Sequence, residues 1–215
     1  QMSRSTASTR EAARDYAARR RWSVVPIDAK SKNPNRKEWQ NLRIGPAEID
    51  DHFHGGPQNV GLLTGEPSGG VVDVDLDSPE ARAIQALLLP KTHAAFGRGA
   101  TPVTHLLYRA NGPVTTVKFQ DPTKAATDER AMLVELRSTG CQTLLPPSIH
   151  PCGEAIAWHR DGDPAEISAG DLTRAVARLG AATLLARHWP NEGGRQHAAL
   201  ALGGGLLRAE WPETD

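Results

Sequence analysis

Apolar and polar positions follow two periods along this chain. Ser8-Thr9-Arg10-Glu11 has the form of a capping box, and it opens a helix to about Arg20 with Ala13, Tyr16 and Ala17 on one face. Trp22–Ile27 then reads as a strand. Pro46–Phe53 reads as a short helix stopped by His54-Gly55-Gly56-Pro57. Asn59–Thr64 is a second strand, and Gly65–Gly69 is a tight turn that makes a hairpin with the strand Gly70–Leu76. Ser78–Leu89 is a helix ended by Pro90, and Gly97–Val103 is Gly- and Pro-rich and irregular. Strands are expected at Thr104–Arg109, Thr115–Phe119, Met132–Ser138, Cys141–Leu145 and Ala155–His159. Beyond Trp158 the character turns helical: one helix runs from about Ser168 to His188, and another from Arg195 to Ala209.

The most informative strand is Val71-Val72-Asp73-Val74-Asp75-Leu76. Residues two apart on a strand share a face, so Asp73 and Asp75 point the same way. Burying two like charges side by side is costly unless something neutralises them, and a hard divalent cation does so naturally. The alternative is an ordinary strand end with acidic caps. That alternative suits Asp77, because Asp77-Ser78-Pro79-Glu80 has the form of a helix start.

Glu135 sits in the apolar run Met132–Ser138 much as Asp73 does in its own, so a partner is expected, either Arg137 or a cation. Arg98, with Thr104 and His105 where a loop enters a strand, offers groups for a triphosphate, although a lone histidine is more often structural. Pro146-Pro147-Ser148-Ile149-His150-Pro151 reads as a rigid loop that projects Ser148 and His150. Strand-borne carboxylates plus phosphate-binding groups meet the needs of nucleotidyl transfer, in which two cations about 3.5–4 Å apart stabilise the attacking and leaving oxygens.

Composition narrows the partners. Lys plus Arg and Asp plus Glu number 25 each, but the balance is local. Residues 10–43 hold ten basic and four acidic side chains, whereas residues 44–90 hold one and eight. A basic segment beside an acidic one suits a polyanion held near a cation, and it equally suits a solvated helix face. No apolar run approaches the roughly 20 residues of a membrane span, and no membrane partner is expected. Cys141 and Cys152 form no zinc pattern, and a reducing cytoplasm with free thiols is the default.

In order, Asp73-x-Asp75, a strand with His105, hydrophobic-Glu135, and Pro146-Pro147-Ser148-x-His150-Pro151-x-Gly153 resemble the archaeo-eukaryotic primase superfamily. The closest resemblance is to the bifunctional primase-polymerase domains of phage and plasmid replication proteins, over roughly residues 10–160. Asp73 and Asp75 match the first motif, His105 the histidine of the second, and Glu135 the third acid. The hydroxyl of the second motif falls on Val103 or, slipped by one, Thr104, and the third acid is Glu rather than the commoner Asp. The resemblance implies an α+β fold: an RRM-like palm sheet with a small N-terminal α/β module, followed by C-terminal helices. It implies a catalytic domain over residues 1–165, a connecting helix over 166–190 and the start of a truncated helical domain over 191–215. It further implies Mg²⁺ or Mn²⁺ in a two-metal site on Asp73, Asp75 and Glu135. Nucleoside triphosphates would be bound by His105, Arg98, Thr104, Ser148, His150 and Arg137. The implied partners are a single-stranded DNA template and a helicase domain in the same full-length chain, in the cytoplasm of a bacterial host.

Two other classes compete. His52-Phe53-His54 has the His-hydrophobe-His pattern of nicking endonucleases, which also need a tyrosine nucleophile, here Tyr16 or Tyr108. A non-catalytic single-stranded nucleic-acid-binding module would use stacking aromatics, but aromatics make up only 5% of the chain and do not alternate along one strand.

Overall fold

The computed structural model describes residues 8–54 and 56–210, and within them the chain is mixed α+β. The helices are α1 (Thr9–Ala18), α2 (Ile49–His52), α3 (Pro79–Leu88), α4 (Ala169–His188) and α5 (Arg195–Arg208). The strands are β1 (Val24–Asp28), β2 (Gln58–Leu63), β3 (Val71–Asp75), β4 (Ala94–Arg98), β5 (Thr101–Asn111), β6 (Val117–Gln120), β7 (Met132–Arg137), β8 (Gln142–Leu145), β9 (Ile156–Asp161) and β10 (Ala165–Ser168). The capping box forms as the sequence predicts, with Ser8 and Glu11 exchanging hydrogen bonds. Ser78 caps α3, and Pro79 stands in its first turn.

A small sheet has the order β1-β2-β8, and a large one the order β6-β7-β3-β5-β4-β9, with β10 added alongside β5. Within the large sheet β7, β3, β5 and β4 are antiparallel neighbours, and α3 connects β3 to β4. That arrangement is the palm the sequence led us to expect. Alternation along β3 splits the core in two. Val72 and Val74 join Leu106, Tyr108 and Leu136 against Leu172, Val176 and Leu179 of α4. Val71 on the other face joins Phe96 and Leu107 against Trp22, Val25 and Leu62 of the N-terminal module. The module covers only part of that second face; the remainder, with Asp75 and Glu135, forms the floor of a cleft.

Two expectations about local structure need correction. β2 and β3 do not form a hairpin: they belong to different sheets and share only the single bridge Gly65↔Val71. β3 already pairs on both edges, with β5 and β7, and β2 pairs with β1 and β8. Gly65 (φ 81°), Gly69 (φ 63°) and Gly70 (φ 82°) steer the chain from one sheet to the other through left-handed backbone. The segment 97–103 is not irregular but the bulged hairpin of β4 and β5. Gly97 is there because a Cβ would lie 2.3 Å from the Thr101 carbonyl oxygen, so the glycine that suggested a loop permits close strand approach.

α4 lies against the palm through Leu172, Val176 and Leu179, and its C-terminal turn is tied down by charge. Arg187 Nη2 donates to Glu80 Oε2 at 3.1 Å, and His188 Nε2 lies 2.9 Å from Asp121 Oδ2. α5 buries no residue. No helix among the described residues is long and apolar enough to cross a membrane.

Candidate active site

Register places three polar side chains abreast on the palm. Asp75 on β3 pairs with Glu135 on β7 to one side and with His105 on β5 to the other. Cross-strand partners present their side chains to the same face, so all three meet. Two residues along, Asp73 pairs with Arg137. Five residues from three strands therefore converge.

Asp73 lies deepest and is completely buried. Its Oδ2 lies 3.0 Å from His105 Nδ1 and 3.7 Å from Arg137 Nη1. Its Oδ1 is buried without a hydrogen-bond partner. His105 is stacked on Phe96, with ring centroids 4.6 Å apart and planes 11° off parallel. Burial opposes charging of this imidazole, but the carboxylates of Asp75 and Asp73 outweigh it and raise its pKa above the ordinary value.

Arg137 lies among the acids. Its Nη2 is 2.5 Å from Asp75 Oδ2, and its Nε donates to Glu135 Oε2 at 2.8 Å. Lys118 Nζ approaches Glu135 Oε1 at 3.4 Å from β6. For Glu135 the sequence left open either an arginine or a cation as partner; Arg137 makes the contact.

Asp77 stands above them at the mouth. One carboxylate oxygen each from Asp75, Asp77 and Glu135 falls within 4.8 Å of the others. Desolvation in the cleft, with the charge of Asp75 second, pushes the Asp77 carboxyl up to about 7. The sequence reading gave Asp77 only a place at the start of α3. It has that place, immediately before the cap, and its chain position two residues past Asp75 also carries it into the cluster. The same period of two that singled out Asp73 and Asp75 was the available signal.

The donor set is entirely carboxylate oxygen, which suits hard divalent cations such as Mg²⁺ or Mn²⁺. The unpartnered Asp73 Oδ1 is an acceptor that the fold itself leaves unsatisfied. On both counts the residues fit a cation site.

Above the acids lies a cleft of about 630 Å³, within the size range of small-ligand sites. Lys32 and Trp39 from the loop after β1 line it, as do Arg98, Thr104 and His150. Thr104 lines the cleft, whereas Val103 packs against the core on the α4 side of the sheet. Arg98 Nη1 donates to Glu154 Oε2 at 2.8 Å and lies 3.2 Å from Cys152 Sγ. His150 Nδ1 lies 2.9 Å from the same sulfur. Both cysteines are free.

Ser148 is placed elsewhere. It is fully buried, and its hydroxyl accepts from the Val60 N–H at 3.0 Å and donates to the Val60 carbonyl at 3.2 Å. Its loop projects His150 toward the cleft but uses Ser148 to fasten itself to β2. Gln142 and Thr143 were not singled out in the sequence. Both line the cleft, and Gln142 Oε1 and Thr143 Oγ1 have no protein partner.

No curated protein matches the chain closely enough to count as a relative. The family model described as bifunctional DNA primase/polymerase, N-terminal (Prim-Pol) matches residues 13–169.

Proposed function

The chain belongs to the Prim-Pol family, whose role is nucleotidyl transfer of the primase/polymerase type, and from that premise we propose that it extends or starts chains on a single-stranded DNA template from nucleoside triphosphates with Mg²⁺ or Mn²⁺. The observation that carries this reading is the row Glu135, Asp75, His105 on adjacent strands at the floor of a cleft.

Asp75, Asp77 and Glu135, with Asp73 beneath them, would hold the cations. Bound there, the cations supply charge stabilisation to the attacking and leaving oxygens of an in-line displacement. The protein's part is positioning and electrostatics. Asp73 engages His105 Nδ1, which fixes the ring and leaves its other nitrogen for a phosphate oxygen. Thr104 and His150 face the same space and suit the remaining phosphates. Arg98 suits them too, once it exchanges its bond to Glu154. Lys32 and Trp39, which also line the cleft, suit a nucleic-acid strand, the lysine through phosphate and the indole through stacking.

The same reading places the protein in phage or plasmid DNA replication in a bacterial cytoplasm, with α5 as the start of a helical region that leads to a helicase. A nickase is disfavoured because both tyrosines of the chain are buried and engaged. Tyr16 donates to the Pro146 carbonyl and Tyr108 to the Pro90 carbonyl, each at 2.6 Å, and burial raises the pKa of both.

The test is incorporation of labelled nucleotides on single-stranded DNA, with and without a primer, in Mg²⁺ or Mn²⁺. Asp75→Asn and Glu135→Gln are each expected to lower incorporation by about a hundredfold or more, the scale of losing a transition-state charge contact. Template binding and the folded spectrum should be retained. Undiminished incorporation by either variant would refute the assignment.

A further inference from the structure

Each carboxylate oxygen of Asp75 and Glu135 is already close to a basic side chain of the protein. Asp75 Oδ1 lies 3.6 Å from His105 Nδ1 and Oδ2 lies 2.5 Å from Arg137 Nη2; Glu135 Oε2 lies 2.8 Å from Arg137 Nε and Oε1 lies 3.4 Å from Lys118 Nζ. Of these side chains only Arg137 bridges the two acids, and it also approaches Asp73 at 3.7 Å. Lys118 reaches in from the rim with its side chain 56% exposed, against 23% for Arg137.

A guanidinium fork and a bridging divalent cation seek the same lone pairs of the same two carboxylates. We propose that Arg137 is an exchangeable counter-ion: it neutralises the acids of the palm, gives up Asp75 and Glu135 to incoming divalent cations, and passes its guanidinium to the triphosphate that accompanies them. The inference rests on the proposed function and assigns one residue two successive roles in the same site. The exchange is electrostatically coherent. The cations bring more positive charge to the carboxylates than the arginine they displace, and the released guanidinium remains on β7, at the edge of a cleft where anionic phosphates then need a donor. It also accounts for three carboxylates lying buried side by side: a neutralising charge is built in beside them.

The prediction is a pair of effects of opposite sign. In Arg137→Gln, binding of free Mn²⁺, followed by electron paramagnetic resonance, is expected to tighten by about fivefold or more, because the competing charge is gone. Binding of a nucleoside triphosphate in the presence of Ca²⁺ is expected to weaken by a similar factor, because a phosphate donor is gone. A purely structural arginine would weaken both. Arg137→Lys keeps the charge without the fork and should fall between. In the unsubstituted protein, the Arg137 side-chain Nε–H resonance should shift as Mg²⁺ is titrated in. That readout stands even if the Gln variant folds poorly. Mn²⁺ affinity unchanged or reduced in Arg137→Gln, or an Arg137 resonance that ignores bound Mg²⁺, would overturn the exchange. The incorporation assay separates the two claims: opposite-signed shifts without any incorporation would sink the polymerase reading and leave the exchange standing.

Discussion

Single carboxylates were legible in this sequence where they interrupt apolar runs. Asp73, Asp75 and Glu135 stand out because valine and leucine flank them, and burial of such groups demands a partner. What could not be read was depth. Asp73 and Asp75 share a face, yet Asp73 is sealed beneath His105 while Asp75 reaches the cleft with Asp77. Ser148 shows the opposite failure. A serine in a proline-framed loop beside a catalytic pattern suggests a ligand contact, but its hydroxyl closes on both polar groups of Val60. Ser148→Ala is therefore expected to lower stability in chemical denaturation by about 1–3 kcal/mol, the range for leaving a buried backbone group unpaired. Its KM for nucleotide should stay within twofold. A raised KM at unchanged stability would return Ser148 to the site.

At the scale of elements, period-two alternation located β1 to β3 and β5 to β9, because each has at least one face that is buried or, in β6, half-buried. It missed β4 as a strand of its own, because Gly97 and the nearby Gly99 and Pro102 carry loop signals that a bulged hairpin also uses. It missed β10, a four-residue parallel strand that runs directly into α4, its last residue Ser168 serving as the helix cap. The false hairpin between β2 and β3 has a different cause. Alternation says that a strand is half buried, and nothing local says which sheet buries it. The loop between β1 and α2 lies within the basic segment 10–43: Lys30, Lys32, Arg36 and Lys37 are all exposed on it, and Lys32 lines the cleft. Changing these four residues to Gln should weaken single-stranded DNA binding at low salt. It should also make the slope of log K against log salt shallower by about 0.7 for each lost phosphate contact. An unchanged slope would show that the template runs elsewhere.

Across the whole molecule, the palm depends on α4 staying docked, and the latch is acidic. Asp121 is buried; the Thr123 hydroxyl hydrogen bond, aided by the Thr123 backbone N–H and His188, holds its carboxyl well below the usual range. A depressed carboxylate contributes stability above its unfolded pKa of about 3.9 and loses it as pH falls toward the folded value. Acid titration followed by circular dichroism should thus show a stability loss below about pH 4 that shrinks in Asp121→Asn. An identical acid profile in that variant would shift the dependence to other carboxylates. The chain also passes between its two sheets more than once, at 64–70 and at 138–141, and these passages are bonded to each other. Thr64 Oγ1 donates to the Ser138 carbonyl at 2.7 Å, and the Glu66 N–H donates to Thr139 Oγ1 at 3.0 Å. Walls stitched in this way do not swing like a clamshell. Discrimination among incoming substrates then falls to rearranging side chains, and scattering profiles with and without nucleotide should superimpose.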